Sequence, residues 1–88
     1  MKQKIVCVKD RAIDTYGSPF VVPHIGSAVR GFTDQVNRAT PDGQPNVVSV
    51  HPDDFDLYEI GEYDDQTGLV VASGPKLVIR GKDAVKSA

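Results

Sequence analysis

The densest concentration of chemically capable side chains is a run of carboxylates. Asp53, Asp54, Asp56, Glu59, Glu62, Asp64 and Asp65 place seven of the chain's 12 acids in one short stretch. Paired carboxylates can run glycoside hydrolysis or hold a metal ion. On a strand, however, side chains alternate between faces. Asp56 and Glu62 then share a face while Glu59 points to the other, so the acids do not converge. A calcium loop needs an acid at its first position and glycine at its sixth. Counting back from Gly68 puts Tyr63 first, and the motif fails. The expectation is a solvated, charge-guarded hairpin edge, with Asp64 and Asp65 as candidate contacts for a basic protein partner.

Other reactive constellations are absent from the sequence. His24 and His51 each stand beside a proline, with no histidine or cysteine at ligand spacing. No nucleophile elbow accompanies them. Gly26 and Gly31 lie inside a helical pattern and lack the spacing of a phosphate-binding loop. No catalytic residue, metal site or cofactor is expected, and the chain reads as non-enzymatic. Cys7 is the one cysteine of the chain. In the run Ile5-Val6-Cys7-Val8 it reads as a small buried hydrophobe.

Binding of single-stranded nucleic acid needs basic side chains interleaved with aromatic ones. Lys9, Arg11, Tyr16 and Phe20 lie close together around an irregular loop, with Lys2 and Lys4 just before. Arg80 and Lys82 lie at the other end. If the terminal segments were adjacent strands, these charges would add into one basic face. Those eight residues are the candidate nucleic-acid contacts. Against them stands a net charge of −2, which excludes a generic polycationic coat protein.

The elements that must position these groups are legible in outline. Lys4 to Lys9 reads as a strand, β-branched at its centre. Phe20 to Val22 is a short extended piece held off the centre of a sheet by Pro19 and Pro23. Ile25, Ala28, Val29, Phe32, Val36 and Ala39 fall on one helical face, and Pro41 ends the helix. Gly26 and Gly31 are expected to let that helix approach a sheet closely. Val47 to Val50 could be a short strand or an apolar arm, and Pro52 to Phe55 has the shape of one helical turn. Asp56 to Tyr63 and Leu69 to Ser73 read as a hairpin closed at Gly68, with Gly74-Pro75 turning into a last strand, Lys76 to Arg80. The expected fold class is α+β, a single amphipathic helix packed on a small, mostly antiparallel sheet of 3–4 strands. The 88 residues are expected to form one domain, with an ordered core over 4–80, a loop over 41–50 and a frayed tail over 81–88.

A chain of this length buries only about 60–65% of its unfolded surface. Small domains commonly add a disulfide, a metal or a second subunit. With one cysteine and no metal motif, a homo-oligomer, most simply a dimer, is the natural candidate. No run of about 18 apolar residues exists to cross a membrane, and the basic N-terminus is interrupted too soon for a secretory signal. A cytosolic residence is expected.

Several phrases of the sequence resemble one known family. They are Asp14-Thr15-Tyr16-Gly17-Ser18-Pro19-Phe20, Gly26-Ser27-Ala28-Val29-Arg30 with Phe32-Thr33-Asp34 and Val36-Asn37, and the eighteen-residue phrase HPDDFDLYEIGEYDDQTG from His51 to Gly68. In this order they resemble the small nonstructural protein of gokushovirus-type Microviridae, the single-stranded DNA phages. The resemblance spans about residues 4 to 82, the hairpin phrase is its most specific part, and it implies that the loop over 41–50 is variable. It implies a phage protein of the host cytoplasm, absent from the virion and described as DNA-binding, with a role in replication or genome packaging. It carries no catalytic motif. The partners left open are single-stranded DNA, and, for an interaction module, a viral replication protein, the capsid or a host factor.

Overall fold

The computed structural model describes residues 1–38 and 46–86. The expected roles of Ala39 and Pro41, and the first half of the variable loop, lie outside them. Strands β1 (Lys2–Asp10), β2 (Thr15–Tyr16) and β3 (Phe20–Val22) precede the long helix α1 (Ile25–Asn37). A helical turn α2 (Val47–Val50) and a 3-10 turn (Pro52–Asp54) lead into β4 (Phe55–Asp64), β5 (Leu69–Arg80) and a last turn α3 (Gly81–Ala84).

All five strands join one antiparallel sheet in the order β2-β1-β4-β5, with β3 also on β1. The sheet curls into a half-barrel. The α+β class is therefore corrected to a predominantly antiparallel β structure; the expected single helix packed on a small sheet is roughly as found, with five strands in place of 3–4 and three short helical turns besides the long helix among the described residues. Two local features account for the difference in strand count. Thr15–Tyr16 is an edge strand of two residues with too little pattern to stand out, and Phe20–Val22, extended and off the centre of the sheet as expected, joins it by pairing with the outer edge of β1. Gly74, at a φ of 72°, does not end a strand. Leu69 to Arg80 runs through it as one strand, absorbing the irregularity as shifts in its register with β4.

The apolar stripe of α1 works as its spacing demands: Ala28, Phe32 and Val36 are buried, and Ile25 and Val29 pack at their margin. They meet Val6, Leu57 and Phe55 from the sheet, Val48 from α2 and Ala84 from α3. All the helical segments thus sit on one side of the sheet. Gly26 and Gly31 give no close approach, since a Cβ on either would meet nothing within 4 Å. Of the tail expected to fray, the described part, residues 81–86, is instead docked, and residues 87–88 lie outside the described residues. Asn37 Nδ2 donates to the Ala84 carbonyl at 2.9 Å, and the Lys86 amide donates back to Asn37 Oδ1 at 2.9 Å. The Asn46 side chain accepts from the Val48 amide at 3.2 Å, which starts α2 where a strand or arm was considered.

Beyond the helix-covered body, β1, β4 and β5 continue as a projecting arm, and the molecule measures 43 × 23 × 23 Å. Gly68, at a φ of 75°, closes its hairpin as the sequence indicated.

Candidate nucleic-acid interface on the open sheet face

The strand register determines which residues can act together. On β1, Lys2, Lys4, Val6 and Val8 face the helix side and Gln3, Ile5, Cys7 and Lys9 face away. On β4 the alternation is interrupted: Ile5 pairs Gly61 and Val6 pairs Glu59, so Ile60 is an extra, bulged residue. The bulge overturns the parity expected from the sequence. Glu59, Glu62 and Asp64 all lie on the helix side, and Asp56 lies on the other.

The ion pairs agree. Lys4 Nζ donates to Glu62 Oε1 at 2.6 Å and stands 3.9 Å from Glu59 Oε2. That hydrogen bond is the main reason the Glu62 carboxyl titrates below its ordinary range and the Lys4 amine above its own. The N-terminal amine and Gln3 hold Asp65, at 2.7 and 3.2 Å. The amine keeps the Asp65 carboxyl below its usual range. The terminal basic segments are therefore not adjacent strands. The acidic strand β4 lies between them and takes up Lys4.

The face away from the helices carries Val21 and Ile5, then Cys7, Tyr58 and Leu77, then Tyr16, Lys9, Asp56 and Arg80, with Gln3, Tyr63 and Val70 along the arm. No described helix covers it. All 3 tyrosines of the chain are on it. Tyr16 and Tyr58 meet edge to face, ring centroids 5.5 Å apart at 77°. The Lys9 ammonium lies 5.0 Å from the Tyr16 ring centre. Lys9 also pairs with the exposed carboxylate of Asp14 at 3.1 Å, which is the chief cause of its raised pKa. Asp14 itself holds a φ of 52°, a left-handed turn position that acidic side chains tolerate.

At the end of this face Arg11 folds back on Asp56, Nε to Oδ2 at 3.0 Å, and its guanidinium also donates to the Asp53 carbonyl. The Arg11 amide donates to the Asp54 carbonyl at 2.7 Å. Asp56 is 3% exposed, and its Oδ1 has no hydrogen-bond partner among the described residues. Cys7 is buried, as its sequence context indicated, and burial pushes its thiol pKa up.

Of the eight candidate nucleic-acid contacts, the fold brings four together on or beside this face: Lys9, Arg11, Tyr16 and Arg80. Lys2 and Lys4 lie on the helix side among Glu59, Glu62 and Asp64. Phe20 lines a cleft of about 260 Å³ against α1 with Val8, Val22 and Phe32, while Lys82 sits exposed in α3. Sequence reasoning missed Tyr58 and Tyr63, because strict alternation sends them to opposite faces. The glycine inside an otherwise regular strand was the available signal for a bulge.

The profile of the family described as Phage ORF5 protein matches residues 3–84. The chain belongs to this family. The match runs from Gln3 in β1 to Ala84 at the end of α3. Neither a curated protein nor a solved structure gives a significant match to the chain. Within the described residues, no group of three or more His, Cys, Asp or Glu side chains is placed to hold a metal ion, and no helix is long and apolar enough to cross a membrane.

Proposed function

We propose that this phage protein is a non-enzymatic accessory protein of a gokushovirus-type member of the Microviridae, acting in the host cytoplasm, and that it holds single-stranded DNA on the open face of its sheet during replication or genome packaging. One observation carries the reading: the bulge in β4 separates the two chemistries of that strand. It turns Glu62 and Asp64 to the helix side, where Glu59 already lies, and brings Tyr63 to the open face with Tyr58, Tyr16, Lys9 and Arg80. An aromatic platform flanked by cations binds single strands because every base has a π-face and every link a negative charge. The net acidity of the chain is no obstacle when most of the acids of β4 face the other way.

The test is fluorescence anisotropy of a labelled single-stranded oligonucleotide titrated with the protein at low salt. Lys9 and Arg80, with Arg11 if it releases Asp56, would neutralise two or three phosphates. The log–log salt slope is then roughly −1.4 to −2.1. A flat titration, or binding with no salt dependence, would refute the reading.

A second reading is a protein-interaction module engaging a viral replication protein, the capsid or a host factor. The apolar outer edge of β5 favours it. Asp64 and Asp65 are weaker contacts for such a partner, because Asp65 is already held by the N-terminal amine.

A further inference from the structure

Among the described residues the outer edge of β5 is unpaired, since β5 ends the strand order. Along the arm it carries Leu69, Val70 and Val71, which are 66%, 63% and 67% exposed. Consecutive strand residues point to opposite faces, so the arm is apolar and uncovered on both sides at once. A partner stacked on one face would leave the other wet. A strand added to the edge covers both and also satisfies the free backbone groups.

The usual guards against such pairing are absent where the arm is most exposed. No charged side chain or proline occurs from Gly68 to Gly74; Pro75 and Lys76 follow only where the edge returns to the body.

We infer that the Leu69–Val71 edge pairs antiparallel with the same edge of a second copy, about a two-fold axis through Val70. That register is consistent on both faces. On the helix side Leu69 meets the partner's Val71, and Val71 meets the partner's Leu69. On the open face Val70 meets the partner's Val70, flanked by Tyr63 of each copy. Charge permits it as well. Glu62 and Asp64 lie one strand in, so the nearest acids of the two copies are three strand spacings apart, about 14 Å. That exceeds the ~8 Å screening length at physiological salt.

Three aliphatic side chains about two-thirds exposed offer on the order of 200 Å² of apolar surface per copy. The contact therefore belongs with small, transient interfaces below about 1,200 Å², and the dimer is expected to dissociate in the micromolar range or above. The pairing would join two open faces into one continuous sheet, but it does not depend on what that face binds.

Sedimentation equilibrium from micromolar to near-millimolar protein tests the inference. The wild-type mass is expected to rise from the 9.5 kDa monomer toward twice that value. Val70→Lys should stay monomeric throughout with an unchanged far-UV circular dichroism spectrum. Val47→Lys, at another exposed apolar side chain, should dimerise like the wild type. Amide exchange in the wild type gives a readout free of mutation, with protection at residues 69–71 rising with concentration. A wild type that remains 9.5 kDa at the highest concentration overturns the proposal. So does a dimer that Val70→Lys leaves intact, or one whose formation does not change exchange at the arm.

Discussion

Tyr16 offers the sharpest separation of stacking from charge. It lies on β2, only two residues long, at the margin of the open face, and is 42% exposed. Replacing it with alanine removes the edge-to-face contact with Tyr58, worth about 0.5–1.5 kcal/mol. The exposed cation–π contact with Lys9 adds about 0.5–1 kcal/mol. The fold should therefore lose about 1–2.5 kcal/mol, and the melting temperature about 4–8 °C per kcal/mol. A base stacked on the ring is worth about 1–3 kcal/mol more, so affinity for a single strand should fall by roughly 5- to 150-fold. Tyr16→Phe keeps the ring and should bind within about twofold of the wild type. Lys9 is untouched, so the salt slope should stay the same in both variants. The assay is anisotropy at several salt concentrations, well below the melting temperature of each variant. Tyr16→Ala binding as tightly as the wild type would refute the stacking role. A weaker affinity accompanied by a shallower salt slope would show that Tyr16 serves only to place Lys9.

Two further outcomes follow from local geometry. A Cβ on Gly61 would lie 2.6 Å from the Val71 carbonyl oxygen, so Gly61→Ala must shift backbone and should cost about 1–3 kcal/mol in urea unfolding; Gly26→Ala, with open space around it, should instead be neutral or stabilise by up to about 1 kcal/mol. Equal midpoints for the two variants would contradict the bulge geometry. Glu62 has a folded-state pKa depressed first by its hydrogen bond from Lys4 and then by the Lys4 charge. Its contribution is therefore present above its unfolded pKa of about 4.3 and lost as pH falls through the lower folded value. Glu62→Gln should lower the urea midpoint near neutral pH, and the gap to the wild type should close on acidification through that window. A gap independent of pH would place the Lys4 contact outside the stability of the fold.

How much of this was legible in the sequence depended on whether the signal was local. The helix stripe of Ala28, Phe32 and Val36, the proline-led turn at Pro52 and the glycine of the hairpin at Gly68 are each set by a few neighbouring residues. All were readable. The docking of Gly81–Ala84 was not, because it depends on Asn37, more than forty residues away in sequence, bonding to both Ala84 and Lys86. Nor was the strand Thr15–Tyr16, whose identity comes from the β1 edge it lies against, whereas Pro19 and Pro23 marked Phe20–Val22 as an extended piece off the centre of the sheet. The basic face imagined from the two ends of the chain failed for the same reason. Strand order is a property of the whole sheet, and it put the acidic strand between them.

The open face follows from one inserted residue. With Ile60 paired in register instead of bulged, β4 would alternate strictly, and Glu62 and Asp64 would stand on the same side as Tyr58 while Tyr63 crossed to the helices. A phosphate chain laid across that surface would meet carboxylates at the arm. With the bulge, those carboxylates stand beside Lys2 and Lys4, and Tyr63 returns to the row of Tyr58 and Tyr16. Gly61 is what permits the turn, because a side chain there would collide with β5. The acidic hairpin phrase thus encodes a sheet with two chemically opposed faces, and residues 60–61 set which chemistry each face presents.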